Sequence, residues 1–341
     1  MSSSTTRTGR ALTTPAAPAP AAVATPLAAP APTAASTPLA AAAPVSIPSA
    51  VGLLAGWGRY PLLVAEALKR QGAHVYCLGV RDHADPELAR LADDFRWIGL
   101  AQLGGAIRYF RRQGVSRATM AGKIHKVVLY QPRVWLRHRP DLRAVRCFYH
   151  NFLLTRKDRR DDTLLGALVD EFARDGIRFA PATDFAPELL VRYGQLTRRG
   201  PAHAQRSDIE FGWKMAKAMG QLDIGQSVVV KDRAVLAVEA IEGTDACIRR
   251  TAALCPKGGF TVVKVAKPQQ DMRFDVPTVG RGTLESMVAA GGRVLAIEAG
   301  RTIVLDEAEF LAYAEQHQLI VVALHAGADA SVDPLPAAAT T

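Results

Sequence analysis

The sequence predicts an α/β protein: a Rossmann-like parallel-sheet domain, then a second mixed α/β domain, with a ligand cleft between them. Three observations predict it. Strand-sized apolar runs alternate with helical stretches, a pattern that builds parallel sheets covered by helices. The 341 residues are 49% hydrophobic and 22% charged, a globular balance whose length suits two domains. No apolar run approaches the ~20 residues that span a bilayer.

Residues 1–48 are mostly Ala, Pro, Thr and Ser, with Arg7 and Arg10 charged. Such a segment buries too little apolar surface to offset its chain entropy, so disorder is expected there and in the tail 326–341. Recurrent prolines and the lack of a clean apolar core argue against a signal peptide. The first domain is expected over 49–185 and the second over 186–325.

Order begins at residue 49. SAVGLLAGWGRYP reads as a buried strand, a glycine turn and a helix starting near Pro61, since proline is tolerated in a first turn. The helix over 62–71 stops at Gly72, a natural C-cap. A strand over 74–80 and a helix near 86–91 follow. Another helix over 103–113 stops at Gly114, and a strand over 117–121 ends at Gly122. Asp161-Asp162-Thr163 opens a helix over 164–175, with aspartates placed to cap it and complement its dipole. Residues 176–196 read as a strand and a linking segment. Ser207 and Glu210 have capping-box spacing for a helix ending at Gly220. Strands are expected over 227–230, 235–241, 261–265, 293–298 and 302–305. Asp306 and Glu309 carry a capping signature for a helix reaching His317, and a strand over 319–324 closes the fold.

In open parallel sheets ligands lie beyond the carboxyl ends of the strands, where Gly56, Gly58 and Gly122 fall. Gly56-Trp57-Gly58 lacks the third glycine of the dinucleotide fingerprint, and no acid follows the second strand at the required distance. That argues against a nicotinamide-dependent oxidoreductase. The glycines suit backbone approach to a nucleotide phosphate, or a tight turn with no ligand.

The net charge of +10 is uneven. Arg137, Arg139, Arg143, Arg146, Arg156, Lys157, Arg159 and Arg160 crowd one stretch, with Trp135 and Phe148 among them. It suits an anionic membrane surface, an anionic substrate or a solvated face; no nucleic-acid reader motif accompanies it. Cys77, Cys147, Cys247 and Cys255 show no CxxC pairing, which disfavours structural zinc and a disulfide framework and fits a reducing cytoplasm.

The richest chemistry lies in the window 222–280. Strand-like runs alternate there with loops holding Glu239, Glu242, Thr244, Asp245, Lys264, Lys267, Asp271 and Asp275. Acids that hold a divalent cation beside lysines that neutralise phosphate oxygens are the parts of a metal-assisted phosphate site; solvated turn residues are the plain alternative. Glu239 and Glu242 would project to opposite faces of a regular strand. Thr244 and Asp245 begin a helix, either as caps or as a phosphate and metal site. Lys264 and Lys267 sit at a strand end stopped by Pro268. Asp275 stands before Val276-Pro277 in a stiff loop, and Asp271 and Arg273 are weaker candidates.

DIGQSVVV, EAIEGTDA and KPQQDMRFDVPTVG, in that order, resemble the three signature stretches of the LpxI-type UDP-2,3-diacylglucosamine diphosphatases of lipid A synthesis. The likeness runs from about residue 51 to about residue 324. It implies a uridine-nucleotide-binding first domain. It also implies hydrolysis of the diphosphate of UDP-2,3-diacylglucosamine to UMP and 2,3-diacylglucosamine 1-phosphate, with Mg²⁺ or Mn²⁺ as cofactor. In that family the aspartate of the stretch reading DVPTVG here is the essential acid, which implies that role for Asp275. Gly56, Gly58, Gly122, Gln226, Thr244, Lys264 and Lys267 are then the expected substrate contacts, and Asp245, Asp275 and Glu242 the expected metal ligands. Asp162 falls in a stretch that resembles a family Lys-Gly-Asp-Asp pattern, which Arg159 and Arg160 break. Peripheral association with the cytoplasmic face of the inner membrane is expected, and a homo-oligomer is allowed for. The rival class is a non-catalytic binder of a nucleotide-linked lipid, which could dispense with Asp275.

Overall fold

In the computed structural model, which describes residues 48–124, 138–149 and 161–327, a five-stranded and a six-stranded sheet follow one another along the chain, with a third, two-stranded parallel sheet made by residues 278–279 and 303–304. The expected disordered extension and most of the tail fall outside those residues, as does much of the basic stretch.

The first sheet is built from β1 (Ala50–Ala55), β2 (His74–Val80), β3 (Asp94–Ile98), β4 (Arg117–Ala121) and β5 (Arg178–Phe179). Its order is β3-β2-β1-β4-β5 and every pairing is parallel. The helices are α1 (Tyr60–Arg70), α2 (Leu88–Leu91), α3 (Leu103–Arg112), α4 (Leu142–Tyr149), α5 (Asp161–Ala173) and α6 (Ala182–Phe185). Val51, Leu53 and Ala55 of β1 pack with Leu62, Ala65 and Leu68 of α1 on one face. Leu78 and Val80 pack with Ile107 and Phe110 of α3 and Phe172 of α5 on the other. A sheet apolar on both faces and sandwiched by helices is the Rossmann-like arrangement, and its strand order reverses between β1 and β4.

The second unit contains β6 (Gly194–Gln195), α7 (His203–Gln221), β7 (Ser227–Lys231), β8 (Ala234–Val238), α8 (Thr244–Leu254), β9 (Thr261–Lys264), β10 (Thr278–Val279), α9 (Arg281–Ala290), β11 (Val294–Glu298), β12 (Ile303–Val304), α10 (Glu307–Gln316) and β13 (Ile320–Leu324). Its six-stranded sheet runs β6-β13-β11-β9-β7-β8. β13, β11 and β9 are parallel, whereas β7 runs antiparallel to β9 and forms a hairpin with β8. Val229, Val262, Leu295 and Val321 bury one face against α8 and α9. Val228, Val263 and Ala296 bury the other against Trp213 of α7, which is fully buried. This is the mixed α/β architecture the alternation predicts.

The structure differs from the sequence expectation in several places, among them α6, β10 and α9, which are not predicted. β3 is not predicted: DFRWI has two exposed residues, Arg96 and Trp97, because it occupies the sheet edge. α7 starts at His203 rather than at the Ser207 box; Gln205 Oε1 caps the Ala202 N–H at 2.9 Å, and Ser207 Oγ bonds back to His203 O. β8 ends at Val238, so the strand is not regular through Glu239 and Glu242. Asp306 makes no side-chain cap on α10; its carboxylate reaches Arg59 of the first domain at 3.4 Å. An antiparallel bridge between Leu190 and Ile303 also joins the linking segment to the second domain. No helix among the described residues is long and apolar enough to cross a membrane.

Candidate active site

Antiparallel pairing of β7 with β9 sets Ser227 opposite Lys264, so the start of one strand meets the end of the other. Beyond that pair, Val265 N–H donates to Gln226 O at 3.0 Å. Glu239 N–H, just past β8, donates to Ser227 O at 2.9 Å. The three polar stretches of the window, far apart in sequence, therefore converge on the C-terminal end of β9.

Lys264 is the centre of this convergence and is 5% exposed. Its Nζ donates to Thr244 Oγ1 at 3.0 Å and to Thr278 O at 2.9 Å. An ammonium has three donors, and among the described residues one has no partner, so it is open to a ligand. The Thr244 hydroxyl in turn donates to Glu239 Oε1 at 2.9 Å. Its single proton is thereby committed, and only the backbone N–H of Thr244 is left to meet a phosphate. That N–H opens α8, where the first-turn donors lack helical partners. Burial pushes the Lys264 ammonium below its ordinary value; Glu239 and, more weakly, Asp245 and Asp275 pull it back, while Lys123 pushes it further down. Glu239 Oε2 is buried with no partner among the described residues, as is Gln226 Oε1. The unpaired Glu239 oxygen, joined through the Thr244 hydroxyl to a lysine with a donor to spare, marks a polar chamber, since buried polar groups are nearly always satisfied.

The remaining candidates divide between this chamber and the surface. Asp275 Oδ2 accepts from Gln270 Nε2 at 2.6 Å, and Asp275 N–H donates to Asp271 O at 3.1 Å. Asp245 Oδ1 accepts from Thr283 Oγ1 at 3.1 Å. Both carboxylates favour the charged form of Lys264 from a distance, and among the described residues neither forms an ion pair. Glu242 is not brought in: it pairs with Arg250 at 2.9 Å, and its own backbone N–H and that arginine hold it below the usual carboxylate range. Lys267 Nζ lies 2.6 Å from Asp223 Oδ1, and Arg273 is folded onto Asp271. Phe274, next to Asp275, packs against the first domain's core. The acid-bearing loop thus leans on both domains. Asp162 stands in the first turn of α5, and its side chain falls outside the description. Among the described residues no three His, Cys, Asp or Glu side chains form a ready metal cage.

Gly56 and Gly122 meet each other. Gly56 N–H donates to Ala121 O at 2.8 Å, and Trp57 bridges Lys123. A Cβ on Gly56 would come 2.8 Å from Lys123 O, and one on Gly122 2.8 Å from the Gly56 carbonyl carbon. This close approach of two strand ends accounts for both glycines before any ligand is considered. Gly58 differs: its φ of +106° disfavours a side chain, and nothing stands within 4 Å of where a Cβ would lie.

Sequence reasoning does not single out Gln270, Ser227, Thr278 or Thr283 as partners of the site, and it gives no reason to rank Glu239 above Glu242. One signal was present. Glu239 follows the apolar β8 run directly, whereas Glu242 stands before the glycine of a turn, where exposure is the norm.

Family models match this chain over nearly all its described length: the LpxI N-terminal domain over residues 50–189 and the LpxI C-terminal domain over residues 192–322. The sequence is also 32% identical over 281 residues to the UDP-2,3-diacylglucosamine pyrophosphatase LpxI of Caulobacter vibrioides, an alignment covering 80% of this chain and 96% of that protein.

Proposed function

The chain belongs to the LpxI family, and from that premise we propose that it hydrolyses the diphosphate bond of UDP-2,3-diacylglucosamine, releasing UMP and 2,3-diacylglucosamine 1-phosphate. The observation that carries this reading is the seat of Lys264 at the end of β9, where its Nζ bonds the Thr244 hydroxyl and the Thr278 carbonyl and so ties together the stretches that carry Asp245 and Asp275. A diphosphate needs its developing charge neutralised and a water aligned for attack. The spare N–H of Lys264 and the open N–H groups of α8 supply the first. Asp275 supplies the second: Gln270 fixes one oxygen, which leaves Oδ1 to orient the attacking water.

The donor set fits a divalent cation such as Mg²⁺. Mg²⁺ is commonly held by one or two carboxylates with substrate phosphates and water, so it does not require a three-ligand protein cage. Asp245 and Asp275 are two such carboxylates, each held by a neutral donor. They would hold the cation, which supplies Lewis-acid polarisation of the phosphoryl oxygens when bound. Glu242, tied to Arg250, is not part of this set. The nucleotide end of the substrate is assigned to the first domain's strand ends near Gly58.

Incubation of the purified chain with UDP-2,3-diacylglucosamine tests this. UMP release is expected with Mg²⁺ or Mn²⁺, loss of release after exhaustive chelation, and recovery on adding the metal back. Full activity in chelator would remove the cation from the reading.

A further inference from the structure

Lys217 of α7 and Glu298 at the end of β11 form a buried ion pair, 5% and 2% exposed, which the chemistry above does not use. Lys217 Nζ lies 2.8 and 2.7 Å from the two Glu298 oxygens and donates to Ala266 O at 3.0 Å. Ala266 N–H donates to Glu298 Oε2 at 2.7 Å. β9 has ended at Lys264, so both backbone polar groups of Ala266 are held by the pair rather than by a neighbouring strand.

The pair is joined to the site by one peptide plane. Ala266 O and Lys267 N belong to the same planar unit, so fixing one fixes the other. Lys267 N–H donates to Gln270 Oε1 at 2.8 Å, which turns the amide so that Gln270 Nε2 faces Asp275 Oδ2 at 2.6 Å. The sequence of contacts is continuous from Glu298 and Lys217, through the Ala266–Lys267 peptide and Gln270, to Asp275.

We propose that Lys217 and Glu298 are positioning residues for the hydrolysis, clamping the Ala266–Lys267 peptide so that Gln270 holds Asp275 in place; this rests on the diphosphatase reading above. Stability alone is a poor account of the pair. Desolvation offsets much of the attraction in a buried ion pair, and apolar replacement of both partners is often neutral or stabilising. Burial indeed pushes Lys217 below its ordinary value, with Glu298 pulling it back. Positioning requires what an apolar pair lacks: a donor for Ala266 O and an acceptor for Ala266 N–H. Misplacing an acid by about 1 Å can cost on the order of a hundredfold in rate.

The test uses the full chain carrying K217M/E298L, with K217M/E298Q as a second variant that keeps an acceptor for Ala266 N–H. For K217M/E298L the expected result is a melting temperature close to the parent's and a kcat lower by about tenfold or more, with KM changed by less than about threefold. K217M/E298Q is expected to recover part of that loss. In a Q270A background the same double change is expected to lower kcat further by less than about threefold, because contacts in one relay are not additive. A kcat equal to the parent's overturns the proposal. So does a rise in KM alone, or a loss that multiplies fully with Q270A. If neither variant folds, the pair is structural and the proposal also falls. A parent chain that cleaves no diphosphate would instead overturn the function on which the proposal rests; failure of the clamp leaves parent turnover intact.

Discussion

Asp275→Ala is expected to leave a folded protein whose kcat falls by roughly a hundredfold or more, the contribution typical of a positioned acid or base. The fold should tolerate the change because Asp275 is half-buried, on a loop, and bonded through its side chain to Gln270 alone among the described residues. Losing one such hydrogen bond to a charged group costs about 1.5–3 kcal/mol, which a folded domain of this size can absorb. Gln270 keeps its bond to Lys267 N–H, so the loop retains its shape. Thermal melts and steady-state UMP release on the same preparation separate the outcomes. A variant as active as the parent would remove Asp275 from the chemistry. One that no longer folds would make the aspartate structural.

Lys264→Met should lower kcat by about 10²–10³, comparable to removing a donor aimed at developing charge. More than the Asp275 change, it should also destabilise the fold, because the Thr278 carbonyl and Thr244 hydroxyl lose their donor and Glu239 its nearby charge; each buried polar group left unpaired costs about 1–3 kcal/mol. Adding Glu239→Gln is expected to restore part of the melting temperature and none of the rate. Recovery of the rate would place Lys264 in packing alone. The pH dependence has opposite signs for the two properties. Burial lowers Lys264 in the fold, so it loses its proton below its ordinary value of 10.5. Between that depressed value and 10.5 the unfolded chain binds the extra proton, so the Lys264 contribution to stability rises with pH. Activity falls over the same window as the charge is lost. The comparison is the pH profile of kcat and of Tm for the parent against Lys264→Met.

Much of the architecture is written locally. Apolar runs such as Val51–Ala55 and the glycines closing α1 and α3 are read correctly because period and chain reversal are properties of neighbouring residues. β3 is missed because an edge strand need not be apolar. Asp306 is misread because a helix-start aspartate has the same local appearance whether it caps or pairs with Arg59 from another domain. The site follows the same rule. The stretches that carry it are recognisable, but which of their acids turns inward is set by tertiary pairing. Glu239 and Glu242 are three residues apart. Only the end of β8 at Val238, the bond from Glu239 to Ser227 and the seat of Arg250 decide that the first faces Lys264 and the second faces solvent. The role of Gln270 is likewise invisible locally, since it depends on a bond to one backbone N–H and one carboxylate at once.

Product analysis by mass spectrometry, on parent and Asp275→Ala chains incubated side by side with UDP-2,3-diacylglucosamine and Mg²⁺, tests the central claim most directly. The account predicts UMP and 2,3-diacylglucosamine 1-phosphate in equal amounts from the parent and almost none from the variant. Intact substrate in both, or UDP with free diacylglucosamine as the products, would contradict it.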